Sequence, residues 1–128
     1  MKKVIGLLTL FFTIALMFSF NEPAKGKINW ISMSQLNEQY AQSPKPILID
    51  VYTSWCGWCK EMDRTTYKNG KLAAYINEHY YAVKLDAEST AQIVFNKKSY
   101  VTSDFATYLL MGDMSFPTTV FLPTMDAK

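Results

Sequence analysis

Ile47-Leu48-Ile49-Asp50-Val51-Tyr52-Thr53-Ser54-Trp55-Cys56-Gly57-Trp58-Cys59-Lys60 is the stretch that decides the fold of this chain. Ile47 to Tyr52 is a short, continuous, largely apolar run bounded by Pro46 and Thr53-Ser54, which suits a strand buried on both faces. The segment after it holds the only two cysteines in the sequence, separated by two residues. Positions i and i+3 share a helix face with side chains roughly 5–6 Å apart, within the Cα separation of about 4.4–6.8 Å that a disulfide needs. A helix N-terminus also offers free N–H groups and a positive dipole end, which stabilise a thiolate. The pair therefore supplies both a bridge that can close and a sulfur that can attack. A structural staple gains more by closing a longer loop, so the spacing favours redox chemistry. Metal handling is the competing class, because two thiolates can bind Cu(I) or half of a zinc site. With His79 as the only histidine, no local ligand pair completes a zinc site.

Working outward, the chain of 128 residues has room for one domain. Met1-Lys2-Lys3 followed by the uncharged run Val4–Phe20 reads as a secretory signal, or as a retained N-terminal membrane anchor. Either places the folded part outside the cytoplasm, and residues 21–27 form a linker. No cysteine follows the run, which excludes a lipid-modified N-terminus. Without Lys2 and Lys3 the thirteen basic residues become eleven, matching the eleven acidic ones. The domain is then near neutral, with no basic patch interleaved with aromatics, so nucleic acid is not an expected partner.

Ile28-Asn29-Trp30 reads as a first strand. Ser32 with Gln35 has the form of a capping box, and Met33, Leu36 and Tyr40 follow at helical spacing up to about Ala41. The dithiol helix should run to about Arg64. Asn69-Gly70 interrupts, and Lys71–His79 resumes helical spacing. Tyr81–Asp86 is another strand. Ile93–Phe95 and Ser99–Val101 suit a hairpin around Asn96-Lys97-Lys98. Thr102, Ser103 or Asp104 can cap a helix carrying Phe105, Leu109 and Leu110, with Gly112 as its stop. Phe116-Pro117 leads into the β-branched strand Thr118–Leu122. Alternating strands and helices argue for a three-layer α/β domain.

From Ile28 to Leu122 this pattern resembles the thioredoxin fold. It is most similar to extracytoplasmic thioredoxin-like proteins related to the C-terminal domain of the membrane thiol:disulfide interchange reductase. The resemblance rests on the dithiol, on Asp50 six residues before Cys56, on Lys84 within Val83-Lys84-Leu85-Asp86, and on Phe116-Pro117-Thr118. It implies a three-layer sandwich around a central mixed sheet. It makes Cys56 the nucleophile and Cys59 the resolving cysteine. Asp50 would be a buried acid exchanging a proton with Cys59, and Lys84 its neighbour. Pro117 would be a cis proline packed against the dithiol. Trp55, Gly57, Trp58, Phe116, Pro117 and Thr118 would contact substrate, with Trp58 on an exposed apolar rim.

The implied activity is thiol–disulfide exchange with protein substrates in an extracytoplasmic, periplasmic setting, in the reductase direction, with a membrane thiol reductase as electron donor. No cofactor beyond the Cys56–Cys59 disulfide is implied. Two departures stand out. Gly57-Trp58 lacks the proline found inside the thioredoxin dithiol, so a redox potential does not carry over. The family's last edge strand and C-terminal helix have no counterpart before Lys128, which leaves Thr118–Leu122 as an expected open edge. An inactive, truncated domain that only binds partners is the third reading.

Overall fold

The computed structural model describes residues 26–126. The leader and most of the linker lie outside the described residues. Six strands and four α-helices follow one another: β1 (Trp30–Ile31), α1 (Met33–Gln42), β2 (Ile47–Tyr52), α2 (Gly57–Arg64), α3 (Gly70–His79), β3 (Tyr81–Asp86), β4 (Gln92–Phe95), β5 (Lys98–Val101), α4 (Thr102–Leu109) and β6 (Thr118–Leu122). A single 3-10 turn, Thr66–Lys68, joins α2 to α3. The main sheet has the order β1-β3-β2-β6. β1 and β2 run parallel to β3, while β6 is antiparallel to β2. The sheet is therefore mixed, and β6 is its outer strand among the described residues.

The period-2 geometry of β2 sorts its side chains between two apolar layers. Ile47, Ile49 and Val51 join Met33 and Leu36 of α1 and Phe105 and Ala106 of α4 on one face. Leu48 faces the other way, with Ala82 of β3, Tyr67 of the 3-10 turn, and Ala73 and Ile76 of α3. The two clusters are the two sides of a three-layer sandwich. Both sides of β2 are covered, which is why its sequence is nearly all apolar. Asp50 follows Leu48 by two residues, so it projects toward the α2–α3 side.

Four local expectations are corrected. The first strand is Trp30–Ile31, since these are the residues that find partners, Ala82 and Val83, on β3. Asn69 does more than interrupt: its Oδ1 accepts the N–H groups of Lys71 and Leu72 and starts α3 at Gly70. No side chain caps α4, whose N-cap is Val101. Thr102 turns its hydroxyl to the Ala91 carbonyl instead, 2.8 Å away. The β4–β5 hairpin closes on Asn96 and Lys97 alone, both at positive φ (47° and 63°), the two-residue primed turn that matches strand twist.

Candidate functional site

β2 delivers the chain to the dithiol at its C-terminal end. Cys56 is the N-cap of α2, with extended backbone, and its Sγ accepts the backbone N–H of Cys59 at 3.0 Å. Cys56 and Cys59 form a disulfide with Cα atoms 5.3 Å apart. Both residues are only 4% exposed. Exposure therefore does not distinguish the two cysteines; position in the helix does. Cys56 sits outside the helix, where its sulfur meets a free N–H and the positive end of the helix dipole. Cys59 lies inside the first turn. A Cβ added at Gly57 would meet nothing within 4 Å, so the tip of the motif faces open space.

Beside it is a polar cluster. The β2–β3 register pairs Asp50 with Lys84. Lys84 Nζ donates to Asp50 Oδ2 at 3.0 Å and to Asp63 Oδ1, on α2, at 2.5 Å. The ammonium also lies over three rings, 5.2 Å from Trp30, 4.9 Å from Tyr52 and 5.8 Å from Tyr67. Rings at such distances attract a cation through their quadrupoles. Burial works against the charged ammonium, but the hydrogen bonds and charges of Asp63 and Asp50 outweigh it, and the Lys84 pKa is raised. Asp50 is 2% exposed, and its second oxygen, Oδ1, is buried without a hydrogen-bond partner. The Tyr67 hydroxyl lies 3.2 Å from Thr119 Oγ1. Burial pushes the Tyr67 phenol well above its ordinary pKa; the Thr119 hydrogen bond opposes the shift and Asp50 adds to it. An open cleft of about 590 Å3 is lined by Trp30, Asp63, Tyr67, Lys68 and Lys84 among others.

The third part is an apolar rim. The Phe116–Pro117 peptide is cis. Thr118, next along, pairs with Val51 of β2 and donates its hydroxyl to the Ser115 carbonyl at 2.7 Å. The Trp55 ring meets the Phe116 ring edge-on, centroids 6.1 Å apart, and its Nε1 donates to Glu88 Oε1 at 2.9 Å. Trp55 and Trp58 are large apolar side chains left in solvent, 65% and 76% exposed.

The structure thus joins Asp50 to Lys84, and joins Trp55, next to Cys56, to Phe116. Asp63, Tyr67, Thr119 and Glu88 are site neighbours that the sequence reading missed. Asp63 had a local signal: it lies four residues after Cys59 and so shares its helix face. Among the described residues, no group of three or more His, Cys, Asp or Glu side chains could hold a metal ion. Nor is any described helix long and apolar enough to cross a membrane.

A cysteine pair capping a helix at the end of a central strand, with a buried aspartate paired to a partly exposed lysine on the next ladder, defines a thioredoxin-like thiol–disulfide protein. The family Thioredox_DsbH, described as a protein of unknown function, DUF255, matches residues 19–128, and the chain belongs to that family. The uncharacterized protein B0495.5 of Caenorhabditis elegans is 30% identical over 100 residues, covering 77% of this chain and 13% of that protein. The thiol:disulfide interchange protein DsbD of Pectobacterium atrosepticum is 37% identical over 46 residues, 36% of this chain and 8% of its own length. The chain thus spans only a small part of these relatives. A solved structure titled DsbH oxidoreductase aligns with TM-score 0.57 and 21% identity, covering 87% of this chain and 76% of that one. A redox protein from Chlamydomonas reinhardtii aligns with TM-score 0.51 and 21% identity, over 94% of this chain and 35% of that one. These two similarities carry the fold.

Proposed function

We propose that this chain reduces disulfides of protein substrates outside the cytoplasm by thiol–disulfide exchange. The observation that carries the reading is the capping of α2 by Cys56 Sγ, with the bridge to Cys59 closed. In the reduced protein the same N–H and the helix dipole would favour a Cys56 thiolate, the reacting species. Cys56 attacks a substrate disulfide, forming a mixed disulfide and releasing one substrate thiolate. Cys59 gives its proton to Asp50 and attacks Cys56 Sγ, closing the Cys56–Cys59 bond and expelling the second substrate thiolate. Two electrons pass from the dithiol to the substrate; Asp50 releases the Cys59 proton to one leaving thiolate, and the other takes its proton from water. Lys84 holds Asp50 in place during the cycle. Trp55, Trp58, Phe116, Pro117 and Thr118, with the open face at Gly57, receive the substrate chain.

The uncharged leader Val4–Phe20 supports an extracytoplasmic, periplasmic location, and DsbD's title as an interchange protein supports a disulfide-exchange partner. A membrane thiol reductase would re-reduce the domain. Labelling of the reduced chain tests the chemistry: Cys56 should alkylate rapidly near neutral pH and Cys59 slowly, and equal, slow labelling sinks the assignment. Equilibration with a thiol redox buffer tests direction. A potential near about −270 mV fits a reductant, whereas one near about −120 mV makes the protein an oxidant.

A further inference from the structure

We propose, resting on the reading of Asp50 as the proton acceptor for Cys59, that Tyr67 is a positioning residue for that transfer. Its hydroxyl, held against Thr119, is the donor that serves Asp50 Oδ1 when the carboxylate is ionised. Lys84 occupies only Oδ2, and Oδ1 is buried with no partner. An unserved buried carboxylate oxygen is costly, more so than a neutral group. Asp50 and Thr119 are opposite each other on the β2–β6 ladder, and the Tyr67 hydroxyl sits 3.2 Å from Thr119 Oγ1. The Asp50 charge adds to the burial that raises the Tyr67 phenol's pKa.

Tyr67 itself is buried, fixed by an edge-on contact with Trp30 at 5.0 Å between ring centroids. The ring is thus held beside Thr119, and a small shift of the hydroxyl from Thr119 toward Oδ1 brings its proton to Asp50. The chemistry also suits the cycle. A lysine ammonium only donates, so it favours the ionised acid alone. A phenol both donates and accepts. It can donate to the carboxylate before Cys59 loses its proton, then accept from the carboxylic acid afterwards, while Thr119 takes the released bond.

The charged and titratable groups around this pair are Lys84 on β3, Asp63 and the dithiol on α2, and Tyr52 on β2, with Lys68 and Lys27 lining the cleft. β1 and α3 contribute Trp30 and the apolar Ala73 and Ile76, and β6 contributes the Thr119 hydroxyl. On the side away from Lys84's ladder, β6 places Thr119 opposite Asp50, with the Tyr67 hydroxyl against the Thr119 hydroxyl.

The test uses the reduced full chain and an aromatic disulfide that releases a coloured thiol twice, first on attack by Cys56 and then on attack by Cys59. Tyr67→Phe should leave the first release unchanged. It should slow the second about tenfold at pH 7, the size of one hydrogen bond to a charged group, and move its pH midpoint upward. In an Asp50→Asn background, Tyr67→Phe should cause no further slowing. An unshifted Tyr67→Phe profile beside a slowed Asp50→Asn overturns the role of Tyr67 and leaves Asp50 as acceptor. Equal slowing in both backgrounds reduces Tyr67 to packing and also overturns it. If Asp50→Asn itself leaves the second release unchanged, the acid–base reading falls and this proposal with it. Should Tyr67→Phe not fold, Thr119→Val, which removes the hydroxyl that competes with Asp50 for the Tyr67 proton, should move the midpoint downward, and Thr119→Ser should restore it; no shift overturns the proposal.

Discussion

Lys84 stands opposite Asp50 on the β2–β3 ladder, and its ammonium lies 3.0 Å from a carboxylate that is otherwise shut away from water. Removing one partner of such a pair leaves an uncompensated buried charge, which costs about 3–5 kcal/mol where both groups are buried. Lys84 retains some exposure and Asp63 shares it, so the lower end applies. Lys84→Met should lose about 3 kcal/mol in denaturant unfolding at pH 7. In an Asp50→Asn background the same change should cost under about 1 kcal/mol, since a neutral amide tolerates the missing cation. Equal losses in both backgrounds would assign Lys84 to ring packing instead of charge.

The same cluster makes the fold sensitive to alkali. The Lys84 pKa is raised in the folded state, so its contribution is complete below about pH 10.4 and fades as pH climbs through the folded value. Tyr67 is also raised: above about pH 10 its unfolded form ionises while the folded phenol keeps its proton. The folded state then binds more protons than the unfolded one, and stability falls as pH rises. The unfolding midpoint should be flat between pH 7 and 9 and decline above about pH 10, with a shallower decline in Tyr67→Phe. A wild-type midpoint that holds level well past that pH would contradict both shifts.

Asn69 offers a test of local structure apart from the chemistry. Its side chain caps α3 through two N–H groups, each 3.1 Å away. Asn69→Ala should cost about 1 kcal/mol, the usual size of a lost N-cap, with exchange rates within twofold of wild type. A loss below about 0.3 kcal/mol would mean that α3 is held by its buried face alone.

Much of this architecture is legible in the residues, for identifiable reasons. Ile47–Tyr52 is apolar because both faces of β2 are covered, and Cys56 and Cys59 announce themselves by spacing. What escapes is whatever long-range partners decide. Trp30, Tyr52 and Tyr67 come from two strands and a 3-10 turn to surround Lys84, and no local period links them. Thr102 has the chemistry of a cap, yet its hydroxyl is taken by Ala91 across the loop. Asn69 was visible as a break, but its capping bonds follow only once α3 is known to start at Gly70. The Asp50–Lys84 pairing is legible only through the family resemblance, because apolar patterning alone does not set the β2–β3 register to the residue.

Trp55 ties the site to surfaces beyond the dithiol. Its indole is fixed at one end by Glu88 and at the ring by Phe116, beside the cis proline, yet the residue is 65% exposed. An aromatic side chain held rigid in solvent suits contact with a macromolecule, because little rotamer freedom is lost on binding. Trp55→Ala should lower kcat/KM toward a protein disulfide about tenfold, in the range of a contact hot spot. Glu88→Gln should lower it by a few-fold, since Glu88 is exposed and the fold should change by less than about 0.5 kcal/mol. Neither change should alter the rate with a small aromatic disulfide more than about twofold, since such a molecule ends at the sulfur and does not span the rim. Parallel kinetics with both substrates decide the matter. If both rates fall together, Trp55 acts on the Cys56 sulfur and not on the substrate chain.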